Sequence, residues 1–477
     1  MELHVVINGR KDLAEQLYQQ LRSAMESGRL AAGSQLPPSR LLAEQLGISR
    51  KTVSDTYTLL TYEGYLVGKI GRGTFVSPRP IKAAHKQEAQ DLACAQSLAR
   101  WQAIPSPLRH PSLEGTLRYE FIGGATTRAQ FPAEQWRRCT QDALRRLSQA
   151  GSFYSQPEGL PVLRHAIAGH VAFSRGVVCT DQDIVVCNGA QQALDLIARV
   201  ILEPGSLVAM EDPGYTPARL LFQAQGAQVL GIPVDDEGIE VARIPDGVRL
   251  IYVTPSHQFP LGMPMSEARR KALLERAREL GAIVIEDDYD SEFRYEGRPA
   301  DSLQSLDSLG VVAYVGTFSK TILPQLRLGY AVLPPAILAA VTKAKQLSDC
   351  HTATLSQWAL AKFIDEGYLQ KHIRRCHTVY AGRRERILQR LQGDLAPWLE
   401  AVPCTAGFHL AALCKVPVDI PLLLDLAKKV EVGLYSLHEF FHDHPVRAGL
   451  FIGFGAIETL DIDPALDKVR DILRQIT

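Results

Sequence analysis

One lysine, set where a buried strand breaks into a polar turn, limits the folds open to this chain. Residues 311–315, Val-Val-Ala-Tyr-Val, read as a buried strand because they are apolar and β-branched or aromatic. The strand runs into Gly316 and a polar knot of Thr317, Ser319 and Lys320, and Arg327 follows before Leu328-Gly-Tyr330 resumes an apolar pattern. A lysine at the mouth of a buried strand loses hydration, which lowers its pKa and frees the amine for Schiff-base chemistry. Neighbouring hydroxyls and an arginine suit a dianionic phosphate. Together these residues suit pyridoxal 5′-phosphate (PLP).

A second strand supplies the counter-charge. Ala282-Ile-Val-Ile-Glu-Asp-Asp-Tyr-Asp290 is apolar and then acidic, the pattern of a parallel strand whose carboxyl end meets a ligand crevice. A carboxylate there can pair with a pyridinium nitrogen. The pairing of Asp287-Asp-Tyr289 with Thr317-Phe-Ser-Lys320 and Arg327 resembles the fold-type I aminotransferases. More closely, the run from Asp287 to Tyr295 and Gly316-Thr-Phe-Ser-Lys-Thr321 resemble the MocR/GabR-type transcription regulators. The resemblance implies a multidomain chain: an N-terminal winged helix-turn-helix, then an α/β PLP-dependent transferase fold with large and small subdomains. It also implies that Lys320 forms the Schiff base and Asp287 meets the pyridine nitrogen.

At 477 residues the chain exceeds one ordinary domain, and 46% hydrophobic residues are enough for substantial cores. A formal net charge of +0 confines any DNA contact to a local patch. Eight cysteines show neither a C-x-x-C pair nor zinc spacing, so reduced thiols and no metal centre are expected. Neither a signal peptide nor a bilayer-length apolar run is found, and a cytoplasmic protein without membrane contact is expected.

The first 77 residues carry a DNA-binding pattern. A helical stripe over residues 12–27 (Leu13, Leu17, Leu21, Ala24, Met25) ends at Gly28 and Gly33, and Ser39 is placed to cap a second helix over residues 40–46. After Gly47 a third helix covers residues 50–63, with Val53, Tyr57 and Leu60 inward. Two short β segments around Gly68-Lys-Ile-Gly-Arg-Gly73 read as a wing. The whole resembles a GntR-type winged helix. Residues 1–79 hold ten Lys/Arg against seven acids. Arg50, Lys51 and Thr52 open the third helix as candidate base or phosphate contacts, Arg40 is a candidate phosphate clamp, and Arg72 and Gly73 form the wing tip. Residues 78–115, polar and then proline-studded, read as a linker with a short helix between 90 and 102. Residues 116–477 form the aminotransferase-like domain, divided near 345 into large and small subdomains.

The larger domain completes a cofactor site. Ile184-Val-Val-Cys-Asn-Gly-Ala-Gln-Gln-Ala193 turns from a strand into a helix whose N-terminus (Gly189, Ala190, Gln191) suits a phosphate. By resemblance, Tyr215 stacks on the pyridine ring, and Tyr154 of Tyr154-Ser-Gln-Pro-Glu-Gly reaches the phosphate of a partner subunit, which implies a homodimer. Aminotransferases carry an Asn-Pro-x-Gly where this chain has Phe259-Pro-Leu-Gly262, so the polar ring contact falls to His257 or Gln258 with Tyr289. In Gly449-Leu-Phe-Ile-Gly-Phe-Gly455, Phe451 falls where amino-acid aminotransferases carry the arginine for the substrate α-carboxylate, and Arg447 is the nearby substitute for effector binding. The implied function is a PLP-dependent transcription regulator that binds double-stranded operator DNA and senses a small amine or PLP itself. The alternative is an active PLP-dependent aminotransferase with an accessory DNA-binding domain.

Overall fold

A computed structural model of the protein describes residues 5, 7, 9, 12–69, 72–77, 94–105, 117–151, 153–297 and 301–477. Two compact units result, Met1–Ala99 and Arg100–Thr477. The expected linker lies mostly outside the described residues, apart from a helix over Ala95–Ala103 within it.

The smaller unit contains α1 (Leu13–Glu26), α2 (Ser39–Leu46), α3 (Arg50–Tyr62) and an antiparallel ribbon of β1 (Leu66–Lys69) and β2 (Gly73–Val76). Its core is the set of inward positions at helical spacing: Leu17, Leu21, Val53 and Leu60 have no exposed surface. The expected cap on the second helix is corrected. Ser39 is already helical and Pro38 precedes it in extended geometry (φ −52°, ψ 140°), with no side-chain cap bond. The φ of Pro38 is already helical, and it is the extended ψ of 140° that sets it outside the helix, with no capping hydroxyl. The side-chain cap is on α3 instead, where Ser49 Oγ accepts from Thr52 N at 3.0 Å. Gly73, at φ 110°, sits where a Cβ would come 2.9 Å from Gln35 Nε2, which itself donates to the Arg72 carbonyl at 2.7 Å. Glycine is therefore required at the wing.

The larger unit opens with a two-residue strand, β3 (Tyr119–Glu120), and is built on an eight-stranded sheet. In chain order its strands are β4 (Ile184–Cys187), β5 (Leu207–Asp212), β6 (Gln228–Asp235), β7 (Gly238–Ile239), β8 (Val248–Val253), β9 (Ile283–Asp288), β10 (Val312–Thr317) and β11 (Gly329–Val332). Their spatial order is β4-β11-β10-β9-β8-β5-β6-β7, parallel from β6 through β10, with β11 antiparallel to both its neighbours and β7 antiparallel to β6. Both faces are buried, so alternate residues enter different cores: Ile285 and Val315 pack with Leu194 and Phe222 on one side, and Val284 and Val312 with Leu273 and Ala277 on the other. Parallel pairing sets Asp287 opposite Val315. The carboxyl ends of β9 and β10 thus open on one crevice.

The C-terminal lobe contains a second sheet, ordered β12-β13-β16-β15, of β12 (Leu399–Ala401), β13 (His409–Cys414), β15 (Tyr435–Ser436) and β16 (Gly449–Gly453). β14 (Val432–Gly433) pairs in parallel with β3, so residues before the main sheet belong to this lobe. No helix among the described residues is long and apolar enough to cross a membrane. The cysteines are free, and four of the eight are buried: Cys139, Cys187, Cys376 and Cys404.

Candidate functional site

Lys320 follows β10 by three residues and is half-buried, with its Nζ turned inward to donate to the Gly124 carbonyl at 2.8 Å. Burial lowers its pKa, opposed by the carboxylates of Asp290 and Asp287 and assisted by Arg327. A Cβ on Gly124 would lie 2.6 Å from Nζ, so the close approach of this amine requires glycine there. Asp287 lies near the end of β9, and its Oδ2 accepts from the Tyr252 hydroxyl at 2.6 Å. Burial raises its pKa to about 6, against the pull of the Tyr252 hydrogen bond. Its Oδ1 is buried and has no hydrogen-bond partner. The adjacent acid differs: Asp288 accepts from Arg175 Nε at 2.6 Å and from Tyr314 Oη at 2.7 Å, so it is an internal ion pair. Alternation along β9 sends Asp287 and Asp288 to opposite faces.

The anion end is built from the β4 turn and the loop after β10. Gly189 (φ 84°) precedes the helix Ala190–Ile201 and makes no side-chain cap. The free N–H groups of that helix and its positive dipole end are therefore open to a phosphate. A Cβ on Gly189 would meet Arg327 Nη2 at 2.6 Å. Arg327, itself at φ 51°, donates to the Asn188 carbonyl at 3.1 Å and to Ser319 Oγ at 3.4 Å. Thr317 Oγ1 accepts from Ser319 N at 3.1 Å, and both residues are buried. Ala190 is half-buried at the first helical position, and the Gln191 amide donates to the Pro217 carbonyl at 3.3 Å.

On the remaining side, the structure separates the two polar candidates that the sequence left side by side. Gln258 bonds the backbone with both ends of its amide: Nε2 donates to Pro213 O (2.8 Å) and Phe259 O (2.7 Å), and Oε1 accepts from Leu261 N (3.0 Å). His257 stacks beside Tyr289 with ring centroids 5.7 Å apart, and Tyr289 Oη donates to the His257 carbonyl at 2.9 Å. His257 Nδ1 lies 2.9 Å from Asp290 Oδ1. Burial lowers the pKa of His257, but Asp290 overrides it and holds the imidazolium up to about 9. His409 is packed against His257 at 4.5 Å and is driven well below the usual histidine range by burial and by that neighbouring charge. Tyr215 lies edge-on to Phe259 at 5.5 Å, and burial raises its pKa.

Arg447 is exposed in the loop before β16, and Tyr154 is 85% exposed, edge-on to His351 at 6.0 Å. In the winged helix Arg40, Arg50, Lys51 and Arg72 are all exposed, and among the described residues none of them is in an ion pair. Thr52 is half-buried, with its hydroxyl 2.8 Å from Ser49 Oγ. Sequence reasoning missed Tyr252, Asp290, His409 and the ring of Phe259. Asp290 alone had a local signal, as the last acid of the run that ends β9.

The unpartnered Asp287 Oδ1, the inward amine of Lys320 and the glycine-lined cradle beside Arg327 fit the ring nitrogen, aldehyde and phosphate of PLP.

Comparison with known proteins identifies the family of each of the two units. Residues 13–76 match the family "Bacterial regulatory proteins, gntR family", and residues 123–418 match "Aminotransferase class I and II". The chain is 35% identical over 461 residues to the probable rhizopine catabolism regulatory protein MocR of Rhizobium meliloti, covering 95% of this chain and 92% of that one. It is 30% identical to the HTH-type pyridoxine biosynthesis transcriptional regulator PdxR of Corynebacterium glutamicum, over 100% and 98% of the two chains. Among solved structures, the kynurenine aminotransferase of Pyrococcus horikoshii superposes with a TM-score of 0.70 at 28% identity, covering 82% of this chain and 96% of that one.

Proposed function

Because this chain belongs to the MocR-type GntR regulators, in which a winged helix precedes an aminotransferase class I and II domain, we propose that it is a DNA-binding transcription regulator whose larger unit holds PLP and senses a small amine or PLP itself. The observation that carries the cofactor assignment is Asp287 Oδ1, a buried carboxylate oxygen without a partner in the pocket that receives Lys320. Such an oxygen is costly unless a donor meets it, and a pyridinium N–H is a donor of the right charge. The regulator reading is preferred to that of an aminotransferase with an accessory module because relatives matched over nearly their whole length are named as regulators.

When bound, PLP supplies an aldehyde that condenses with primary amines and a ring that withdraws electrons. The chain's residues have separate tasks around it. Lys320 offers an amine whose pKa is lowered by burial, so more of it is unprotonated and nucleophilic. Asp287 holds the proton at the ring nitrogen. Arg327, Ser319, Thr317 and the backbone at Gly189, Ala190 and Gln191 receive the phosphate. Tyr215 would cover a ring face, and Tyr289, steadied by its hydrogen bond to the His257 carbonyl, would meet the ring hydroxyl.

DNA binding is assigned to residues 1–77, through Arg50, Lys51 and Thr52 on α3, Arg40 on α2, and Arg72 and Gly73 at the wing. Residues 78–115 act as tether, and residues 116–477 as sensor, with a large subdomain to about 345 and a small one beyond it. The working form is a homodimer: Phe153 and Tyr154 are 92% and 85% exposed, and adjacent exposed aromatic residues suit burial against a second copy. Two modules on one dimer raise the effective concentration at paired half-sites. The test is spectroscopic. Full-length protein loaded with PLP should show a visible absorbance band that Lys320→Ala abolishes, and wild-type protein that stays colourless with excess PLP would refute the assignment.

A further inference from the structure

Beside Lys320 three phenylalanines, Phe259, Phe440 and Phe451, form an aromatic wall that borders the cofactor residues Tyr215 and Tyr289 but is not itself assigned to the cofactor. Phe259 is its hub, with ring centroids 5.5 Å from Tyr215, 5.8 Å from Tyr289, 5.1 Å from Phe440 and 5.6 Å from Phe451. Phe440 and Phe451 also meet each other at 5.3 Å. The wall reaches the amine through two consecutive glycines. A Cβ on Gly123 would fall 1.9 Å from Phe451 Cε1, and one on Gly124 would fall 2.6 Å from Lys320 Nζ. Leu261, Met263 and Leu437 back the rings, so the surface behind them is apolar as well.

The charges around the amine are equally selective. Asp290, Asp287 and Arg327 act on it. Arg327 is turned to the anion end, where it bonds Asn188 O and Ser319 Oγ, and the charge on His257 is already matched by Asp290. Arg447 is exposed in its loop. With Asp290 matched by His257 and Asp287 assigned to the ring nitrogen, no unmatched charge is left beside the phenyl rings, and an apolar body gains by covering them. His409 also packs on Phe451 at 4.6 Å, but burial and the neighbouring His257 charge keep it neutral, so a carboxylate seated against the rings would be stripped of water with no free cation to receive it.

From this wall and this charge pattern we infer that the effector is a primary amine with an apolar or aromatic body and no carboxylate. The inference rests on the reading of Lys320 as the PLP lysine. The test uses the full-length, PLP-loaded protein, titrated with 2-phenylethylamine and separately with phenylalanine, and followed by visible absorbance and by calorimetry. 2-Phenylethylamine should half-saturate at a concentration at least tenfold below that of phenylalanine. Phe451→Arg should shift that ratio at least tenfold toward phenylalanine, while Phe451→Leu keeps the wild-type order. If the arginine variant does not fold, the wild-type ratio alone decides. Loaded protein that takes phenylalanine at equal or lower concentration, or takes neither compound, overturns this inference and leaves the PLP assignment standing. Protein that acquires no visible band with PLP overturns both.

Discussion

Replacing Asp287 by asparagine should raise the stability of the PLP-free protein while weakening its hold on PLP. The magnitude follows from burial. The carboxyl is displaced from 3.8 to about 6. Two pH units correspond to about 3 kcal/mol by which the folded state disfavours the carboxylate at neutral pH. For a carboxyl raised in the folded state, the sign is fixed. Stability is fully present below 3.8 and is lost as the pH rises through about 6. The asparagine removes that loss but leaves a buried amide N–H where Oδ1 lacked a partner, at a cost of about 1–3 kcal/mol. A net gain of about 1 kcal/mol at pH 7.5 is expected, shrinking or reversing at pH 5. PLP binding should weaken about tenfold to a hundredfold, the worth of one charge-assisted hydrogen bond. Trp136, Trp358 and Trp398 lie in the larger unit and Trp101 in the helix at its start, so urea unfolding followed by tryptophan fluorescence carries no signal from the winged helix. A variant less stable than wild type at pH 7.5, with unchanged PLP affinity, would refute the reasoning.

Other measurements address separate parts of the molecule. Arg50→Ala and Arg40→Ala should each weaken binding to a fragment of the chain's own promoter region; every DNA phosphate left unneutralised should lower the log–log salt slope by about 1, with PLP absorbance unaffected. His257→Ala leaves Asp290 buried without its cation and should destabilise the larger unit by about 3–5 kcal/mol, read by the same unfolding assay. Because Asp290 holds His257 up to about 9, the stability this pair contributes should be full below 6.5 and lost as the pH rises through 9; a flat profile across that range would count against the pair. Light scattering should find a dimer, and Tyr154→Ala should loosen PLP without altering its visible band; a monomer with full operator affinity would exclude the paired arrangement.

The convergence of the candidate site's central residues was legible because its signals are local. The apolar run before Lys320, the acids closing β9 and the glycine before the helix at Ala190 each announce a strand end, and parallel strand ends converge on one crevice. The winged helix was legible for the same reason, since helical spacing survives without tertiary context. What stayed hidden depends on distant pairing. His409, on β13 of the C-terminal sheet, packs against His257 in the loop after β8, and no pattern around either histidine encodes that approach. His257 and Gln258 are adjacent polar residues, and only their bonds in the fold distinguish a backbone brace from a side chain stacked on Tyr289. β3 is two residues long, too short for any periodicity to show. The capping position of Ser39 was missed because Pro38 already holds the extended geometry required before a helix.

The pairing of β3 with β14 makes the C-terminal lobe a discontinuous body, assembled from both ends of the larger unit. Tyr119 N donates to Glu431 O, Phe121 N to Gly433 O, and Gly453 N to Phe121 O, so residues 119–121 are stitched into the lobe from two directions. For dissection by truncation, the permissible cut is therefore narrow. A fragment starting at residue 117 keeps the stitching, the Gly123 surface under Phe451 and the carbonyl that receives Lys320. One starting at residue 125 keeps every strand of the main sheet and yet loses all three. Such a fragment would pass for a complete aminotransferase-like unit by its length and helix content, while its lysine had lost the only hydrogen bond that turns it inward among the described residues.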